Sequence, residues 1–426
     1  MPKYVIVGAC AAGISAVEAI REVDPVGTIT VISEETCPQY SRPMISDFVS
    51  GKANLEKMKT RDDQFWKKNT VQALTGKKAV KLNLANKTVA LDSGDNVKYE
   101  KLLIATGGKP FVPKMEGTDK DGVFTFTTLN DAEQLTTKIN ATNAKSAVVI
   151  GAGLIGISVT EALVKRGLKV TLVELQDKIL SLLLDPKASE IVEDAVKKAG
   201  VTIITGQSVQ RIVGKPEYNH AVGSVFLTKG ETVPTDLVIV AIGVIPRTEL
   251  VTGTEVKTNR GIIVDNSMQT NIPDVYASGD VAEAYDFILS QNRPLPLWPL
   301  AVLEGKIAGY NMAGKKTSYS GGTNMSTLKY FGIPIVSVGL ANPKEDPALE
   351  ILVKHNAEKN VYKKLVLKEN VIVGLTFVND IERAGILFYL MKNRVNVKKF
   401  KQELLGETFG LATLPASLRR KMNLEE

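Results

Sequence analysis

The feature that most constrains this chain is a glycine-spaced run in its middle. It reads Ala147-Val148-Val149-Ile150-Gly151-Ala152-Gly153-Leu154-Ile155-Gly156, and Glu174 closes the next apolar stretch. An apolar run broken by glycines at G-x-G-x-x-G spacing predicts a strand turning tightly into a helix. The helical segment is expected from Ile157 to Arg166, stopped by Gly167, and a second strand from Lys169 to Val173. The spacing has a steric reason. The first glycine makes the turn, the second lets a pyrophosphate touch backbone, and the third packs helix on strand. The positive helix end then receives the phosphates, and an acid about 20 residues on accepts a ribose hydroxyl. Gly151, Gly153, Ile155, Gly156 and Glu174 are therefore expected to bind a dinucleotide. A βαβ unit beginning mid-chain reads as a domain inserted into another.

The start of the chain carries the same pattern in altered form. Residues 4–8 form a short buried strand, and the turn reads Gly8-Ala9-Cys10-Ala11-Ala12-Gly13. Cysteine occupies the middle glycine position, where a side chain narrows the approach to a pyrophosphate. A helical pattern continues through Ile14, Val17 and Ile20, and the strand Thr28 to Ile32 leads to Glu34, about 20 residues past Gly13. Two dinucleotide folds in one chain imply two dinucleotides.

A chain of 426 residues has room for about three domains. Strands alternate through Val89 and Val97, and Leu102-Leu103-Ile104-Ala105-Thr106-Gly107-Gly108 closes the first block. Residues 112–118 read as a crossover linker into the inserted unit. Strands near Val201 to Ile204 and Val222 to Leu227 follow, and Leu237 to Pro246 reads as one buried strand leaving that unit. The stretch Asp274 to Asp280 returns the chain to the first block. From about Thr323, strand patterns (Ile333 to Val338, Leu365 to Leu367, Val371 to Leu375) precede a helix from Ile381 to Met391. The expected class is α/β: two Rossmann-like, three-layer ββα domains plus a C-terminal α+β interface domain. Residues 1–113 and 251–322 would form the first, 114–250 the second and 323–426 the third.

Composition narrows the chemistry. Two cysteines, Cys10 and Cys37, exclude a disulfide scaffold and a Cys-ligated iron–sulfur cluster within the chain. Two histidines, His220 and His355, leave no histidine-rich metal site. The net charge of +7 comes from dispersed lysine, with no block suited to nucleic acid, and would favour an acidic partner. Val7-Gly8-Ala9-Cys10 imitates a lipoprotein cleavage site, but the apolar stretch before it is too short. The apolar run from Ala147 to Val164 contains three glycines and Glu161, which fit a βα turn better than a membrane span. A cytoplasmic protein without a membrane span is expected.

Taken together, the motifs resemble those of the FAD- and NAD(P)H-dependent pyridine nucleotide oxidoreductases of the glutathione reductase fold. The pattern is most similar to rubredoxin reductases and the flavin part of NADH-dependent nitrite reductases. The residues that carry the resemblance are Gly8 to Gly13 with Glu34, Tyr40-Ser41-Arg42-Pro43, Ala105-Thr106-Gly107, Gly151 to Gly156 with Glu174, Gly243 to Pro246, and Ser278-Gly279-Asp280. Trp298-Pro299 to Gly314 and Asn324 through Gly339 add a flavin-side helix and the first interface-domain strands. The resemblance implies that Gly8, Gly13 and Glu34 hold the FAD adenosine half, with Glu34 on the ribose, and that Ala9, Cys10, Ala11 and Ala12 of the same turn also bind the cofactor. It implies that Arg42 and Pro43 lie along the pyrophosphate and flavin, and that Asp280 meets the ribityl or phosphate region. Ala105, Thr106, Gly107, Gly243 and Gly279 belong to the same cofactor motifs. The helix near Pro299 would point its N-terminus at the flavin C2 carbonyl.

Three departures define the variant. Cys37 comes too early for the redox cysteine of the disulfide reductases, and the stretch around Pro43 holds no thiol, which also disfavours peroxidase and coenzyme A disulfide reductase chemistry. Many relatives place a lysine beside flavin N5 where this chain has Asp47, and its partner glutamate where this chain has Ser158. Joint loss of both avoids an unpaired charge. Cys10 and Cys37 read as small apolar fillers, with a thiol near the FAD phosphates or a disulfide between strand ends as the alternative. The implied activity is an FAD-dependent NADH:acceptor oxidoreductase, with FAD and NADH as cofactors and no residue doing covalent or acid–base catalysis. Its acceptor would be a small acidic electron-transfer protein, such as rubredoxin, ferredoxin or another iron–sulfur protein. The alternatives are an NADH oxidase reducing oxygen and an FAD-containing assembly subunit with little turnover. The C-terminal block leaves a homodimer open. Glu174, followed by Leu175 and Gln176 rather than arginine, predicts a preference for NADH over NADPH.

Overall fold

The apolar runs Tyr4–Val7 and Ser146–Ile150 each become the central strand of a five-stranded sheet, because side chains apolar on both faces suit a strand covered on both sides. A computed structural model describes residues 2–422. In the first sheet the order is Val275–Ala277, Lys101–Ile104, Tyr4–Val7, Ile29–Ser33 and Val71–Thr75, and all neighbours run parallel. In the second it is Thr202–Ile204, Lys169–Val173, Ser146–Ile150, Leu237–Val240 and Val123–Thr125. Each nucleotide fold also carries a three-stranded antiparallel layer, Ala79–Asn83 with Thr88–Leu91 and Asn96–Lys98, and Val209–Gly214 with Val222–Leu227 and Thr232–Pro234. The protein is an α/β chain with two Rossmann-like sheets and a C-terminal sheet.

The described residues form two compact units. The first comprises residues up to Pro113, Thr125–Thr137 and Ile242–Thr323. Its parallel sheet is backed by the helix Ala11–Val23, which packs against Trp298–Met312. Glycines four apart allow the close crossing. A Cβ on Gly305 would fall 2.1 Å from Ala12 O, and one on Gly309 would fall 2.6 Å from Ala16 O. The second unit comprises Lys114–Phe124, Lys138–Ala241 and the residues from Asn324 onward. Within it, the C-terminal segment builds an antiparallel sheet in the order Met325–Tyr330, Ile333–Gly339, Val371–Val378, Val361–Lys368 and Leu349–Asn356. Buried polar contacts fasten that sheet to the helix Pro186–Lys198 and the loop before it. Asp185 caps the helix at Ala188 N–H and accepts Lys364 Nζ at 2.5 Å and the Tyr362 hydroxyl at 2.6 Å. Ser337 Oγ donates to Leu183 O.

Several boundaries differ from the sequence reading. Leu237 to Pro246 is two strands rather than one. Leu237–Val240 ends the second parallel sheet, Gly243 turns the chain at φ +132, and Val244–Pro246 pairs antiparallel with Gly108–Pro110. That pairing draws residues 242–250 into the first unit, so the inserted segment ends nearer residue 241 than 250. Residues 125–137, most of them in the helix Leu129–Thr142, also belong to the first unit. The nucleotide helix spans Leu154–Lys165, starting three residues before Ile157 because helical backbone resumes directly after Gly153. The last long helix spans Ala384–Lys392, not Ile381 to Met391, since Asn379 and Arg383 hold left-handed backbone before it. The strand Leu349–Asn356 has no counterpart in the sequence reading.

Candidate functional site

The two glycine turns share one hydrogen-bond plan, set by strand register. Val7 pairs with Ile32 and Ile150 with Val173. Gly8 N–H donates to Ile32 O and Gly151 N–H to Val173 O, both at 2.8 Å. The third glycine is needed in each copy: a Cβ on Gly13 would lie 1.9 Å from Gly8 O, and one on Gly156 1.8 Å from Gly151 O. Gly8 has φ +116, and a Cβ there would lie 2.1 Å from Ala105 O. A Cβ on Gly153 would meet nothing within 4 Å, so that turn is open where a pyrophosphate would approach.

Side-chain capping differs among the helix starts. The helices starting after Asn54 and Asp185 receive side-chain caps. Those starting after Cys10, Gly153 and Leu297 receive none, which leaves N-terminal amides for an anionic or carbonyl group, apart from Ala11 N–H, which meets the Cys10 thiol. Ala11 and Ala12 lie in the first of these helix turns, Leu154 and Ile155 in the second, and Trp298 in the third with Pro299, which has no N–H to offer.

In the second unit, Glu174 follows the strand Lys169–Val173 and is fixed by backbone. Its Oε2 accepts Ala152 N–H at 2.6 Å and its Oε1 accepts Gln176 N–H at 2.8 Å. Lys178 pairs with Asp177 and Arg166 donates to Asn140 Oδ1, so both nearby cations already have partners.

In the first unit the register shows why the two acids are not equivalent. Since Ile32 matches Val173, Ser33 occupies the position of Glu174 and Glu34 lies one residue beyond. Glu34 is half exposed and accepts Arg247 Nη1 at 2.8 Å, with Lys78 Nζ at 3.6 Å. Glu35, which the sequence reading passes over, enters a denser cluster. Its carboxylate pairs with Arg42 Nη2, accepts the Tyr40 hydroxyl at 2.9 Å, and accepts the Cys37 thiol at 3.5 Å. Arg42 also donates Nε–H to Cys10 Sγ at 3.3 Å and Nη1–H to Thr127 O at 3.1 Å. Pro43 follows in the one-turn helix Arg42–Met44. Burial raises the Cys10 thiol, with Arg42 acting against it, and burial reinforced by Glu35 pushes Cys37 up to about 12. Both sulfurs are therefore protonated thiols at neutral pH.

The remaining motifs gather around these strand ends. Ala105 N–H donates to Val7 O, Thr106 Oγ1 to Arg247 O, and Arg247 N–H to Gly107 O. Ser278-Gly279-Asp280 follows the strand Val275–Ala277, with Gly279 at φ +76. Burial raises the Asp280 carboxyl, and the charge of Arg42 opposes the shift. Among the described residues, the buried Arg247 Nε and Ser278 Oγ of this unit lack a protein partner. Orphaned donors, uncapped helix ends and glycine cradles fit a dinucleotide such as FAD in this unit. Asp47 accepts Lys52 Nζ at 3.2 Å and is not left unpaired. The sequence reading missed Glu35, Arg247 and Glu304; Arg247 directly follows the Gly243 to Pro246 motif, which is the signal that could have found it.

Comparison with known proteins agrees with this geometry. Residues 2–305 match the family described as pyridine nucleotide-disulphide oxidoreductase, and residues 325–395 match the rubredoxin NAD+ reductase C-terminal domain. The chain is 33% identical over 408 residues to the NADH-dependent phenylglyoxylate dehydrogenase subunit epsilon of Aromatoleum evansii, covering 95% of this chain and 94% of that one. It is 32% identical over 441 residues to an NADH oxidase of Methanocaldococcus jannaschii, covering 99% and 97%. The crystal structure of NADH:rubredoxin oxidoreductase from Clostridium acetobutylicum matches with a TM-score of 0.78 at 26% identity, covering 94% and 97%. The chain belongs to the pyridine nucleotide-disulphide oxidoreductase family, as an oxidoreductase that works with FAD and NADH.

Proposed function

We propose that this oxidoreductase passes electrons from NADH, through FAD, to a small acidic iron–sulfur protein of the rubredoxin or ferredoxin kind. The observation that carries the reading is the state of the two thiols. Cys10 accepts Arg42 Nε–H, Cys37 donates to Glu35, and burial raises both thiols, so neither is set up as an activated thiolate. FAD, when bound, supplies hydride acceptance and electron release. The chain itself binds, orients and excludes water.

On this reading the Gly8 to Gly13 turn, including Ala9, Cys10, Ala11 and Ala12, receives the FAD pyrophosphate, and Glu34 with Arg247 receives the adenosine ribose. Arg42 and Pro43 line the path toward the flavin, where the Asp280 turn and the helix end at Pro299 orient the ring; Ala105, Thr106, Gly107 and Gly279 hold the backbone close. Gly151, Gly153, Ile155, Gly156 and Glu174 receive NADH, and Gly243 supplies a bend bare of side chain. Residues from Asn324 onward contain 16 basic and 11 acidic residues, a net +5 of the chain's +7. Lys392, Arg394, Lys398 and Lys399 lie exposed there. That concentration suits an acidic partner. No described helix is long and apolar enough to cross a membrane, and a cytoplasmic location fits the use of NADH.

A second reading, direct reduction of oxygen, is favoured by the full-length likeness to the M. jannaschii NADH oxidase. Anaerobic reduction by NADH separates the two, followed by addition of rubredoxin, ferredoxin or oxygen while the flavin absorbance is followed. Reoxidation by the iron–sulfur protein should outpace that by oxygen. Oxygen as the dominant acceptor would replace the first reading with the second.

A further inference from the structure

Among the described residues, Glu304 is a buried acid of the first unit with no cation acting on it. It lies in the helix Trp298–Met312, one residue before Gly305, where that helix meets Ala11–Val23 at closest approach. Its side chain is sealed from solvent: the residue is 3% exposed. Oε2 accepts the Gly279 amide at 2.8 Å, and Oε1 lies 3.3 Å from the Tyr319 hydroxyl. Gly279 has left-handed backbone and is itself wedged, since a Cβ there would lie 3.2 Å from that of Ala12 and 3.4 Å from that of Ala301. The glutamate thus grips the turn that presents Asp280, from beneath.

The groups facing Glu304 decide its charge state. Ala12 and Ala16 on the facing helix offer nothing titratable. The turn offers Asp280, a like charge, and the last wall offers Tyr319, which Asp286 faces in turn. Arg42 acts on Asp280, two groups removed. Burial first, then Asp280, pushes the Glu304 carboxyl up to about 8 against the opposing Gly279 amide and Tyr319 hydroxyl.

We propose that Glu304 is a positioning residue for FAD, a neutral carboxylic acid that holds the Gly279–Asp280 turn in shape through the Gly279 amide. Oε2 is then the carbonyl oxygen accepting that amide, and Oε1 carries the carboxyl proton while accepting the Tyr319 hydroxyl. Losing the proton would place a second negative charge directly under Asp280. Cofactor affinity should therefore be linked to this proton. The inference rests on reading the Ser278–Asp280 turn as part of the FAD site.

The test is equilibrium release of FAD from the holoprotein between pH 6 and 9.5, in wild type, Glu304→Gln and Asp280→Ala. Glutamine keeps the carbonyl acceptor and cannot ionise. It should match wild-type affinity below pH 7, while wild type alone loses up to about tenfold per pH unit above pH 8. A second readout needs no cofactor. The native carboxyl is raised above its unfolded value, so wild-type apoprotein should lose stability relative to Glu304→Gln as pH rises from about 5 to 8 and then level off, close to tenfold in the unfolding constant per unit. Identical pH profiles for wild type and Glu304→Gln, in both readouts, would overturn the proposal. Undiminished FAD affinity in Asp280→Ala would instead overturn the placement of the turn in the FAD site.

Discussion

Replacing Glu174 tests the nucleotide site most directly, because the structure fixes what the carboxylate already does. Its two oxygens take the Ala152 and Gln176 amides at 2.6 and 2.8 Å, which anchors it at the open turn before any nucleotide arrives. An ionised carboxylate has about four acceptor sites, so roughly two remain for the ribose hydroxyls of NADH. A hydrogen bond to a charged group contributes about 1.5–3 kcal/mol. At about 1.4 kcal/mol per decade, that predicts a 10- to 100-fold preference for NADH over NADPH. A 2′-phosphate would meet a like charge there, and Lys178 and Arg166 are both engaged elsewhere. Steady-state kcat/KM should be measured with both nucleotides in wild type, Glu174→Gln and Glu174→Ala. The ratio should collapse toward unity in Glu174→Ala. Glu174→Gln, which keeps one amide acceptor but loses the charge, should fall between. Equal values in wild type, or an unchanged ratio in Glu174→Ala, would refute the reasoning.

Three further outcomes are expected. The Cys10→Ser, Cys37→Ser double variant should keep flavin reduction by NADH within about tenfold of wild type, or ~1.4 kcal/mol of barrier, in stopped flow; a larger loss would reinstate a thiol step. Turnover with an acidic protein acceptor should fall steeply with salt while small-dye reduction changes little, since steering is screened within about 10 Å at 0.1 M; a flat profile would mean apolar docking. Lys364→Met should destabilise the second unit by about 3–5 kcal/mol in urea unfolding, because it strips the buried Asp185 of its cation. Burial alone would raise Asp185, but Lys364, Tyr362 and the Ala188 amide together hold it below the usual carboxylate range. A lowered native pKa gives stability that is present above the unfolded value and lost as pH falls through the native one, so the penalty should shrink on acidification. A penalty that persists at pH 3 would assign the loss to packing.

The local sequence determined the two glycine turns, the strands around them and the family. Those features depend on steric demands within about 30 residues, such as the Gly13 and Gly156 positions where any Cβ would strike backbone. The thiol chemistry was likewise legible in part, since no cysteine stands near Pro43. Spacing along the chain could not tell Glu34 from Glu35, because a count of about 20 residues leaves register open by one. Only the pairing of Val7 with Ile32 shows Ser33 at the position of Glu174. Glu304, Thr127 and Arg247 reach their partners in the site across 25, 85 and 213 residues of chain. Such contacts follow from how strands and helices are packed, and a carboxyl buried without a counter-ion, as at Glu304, is a property of the assembled surroundings that no local pattern encodes.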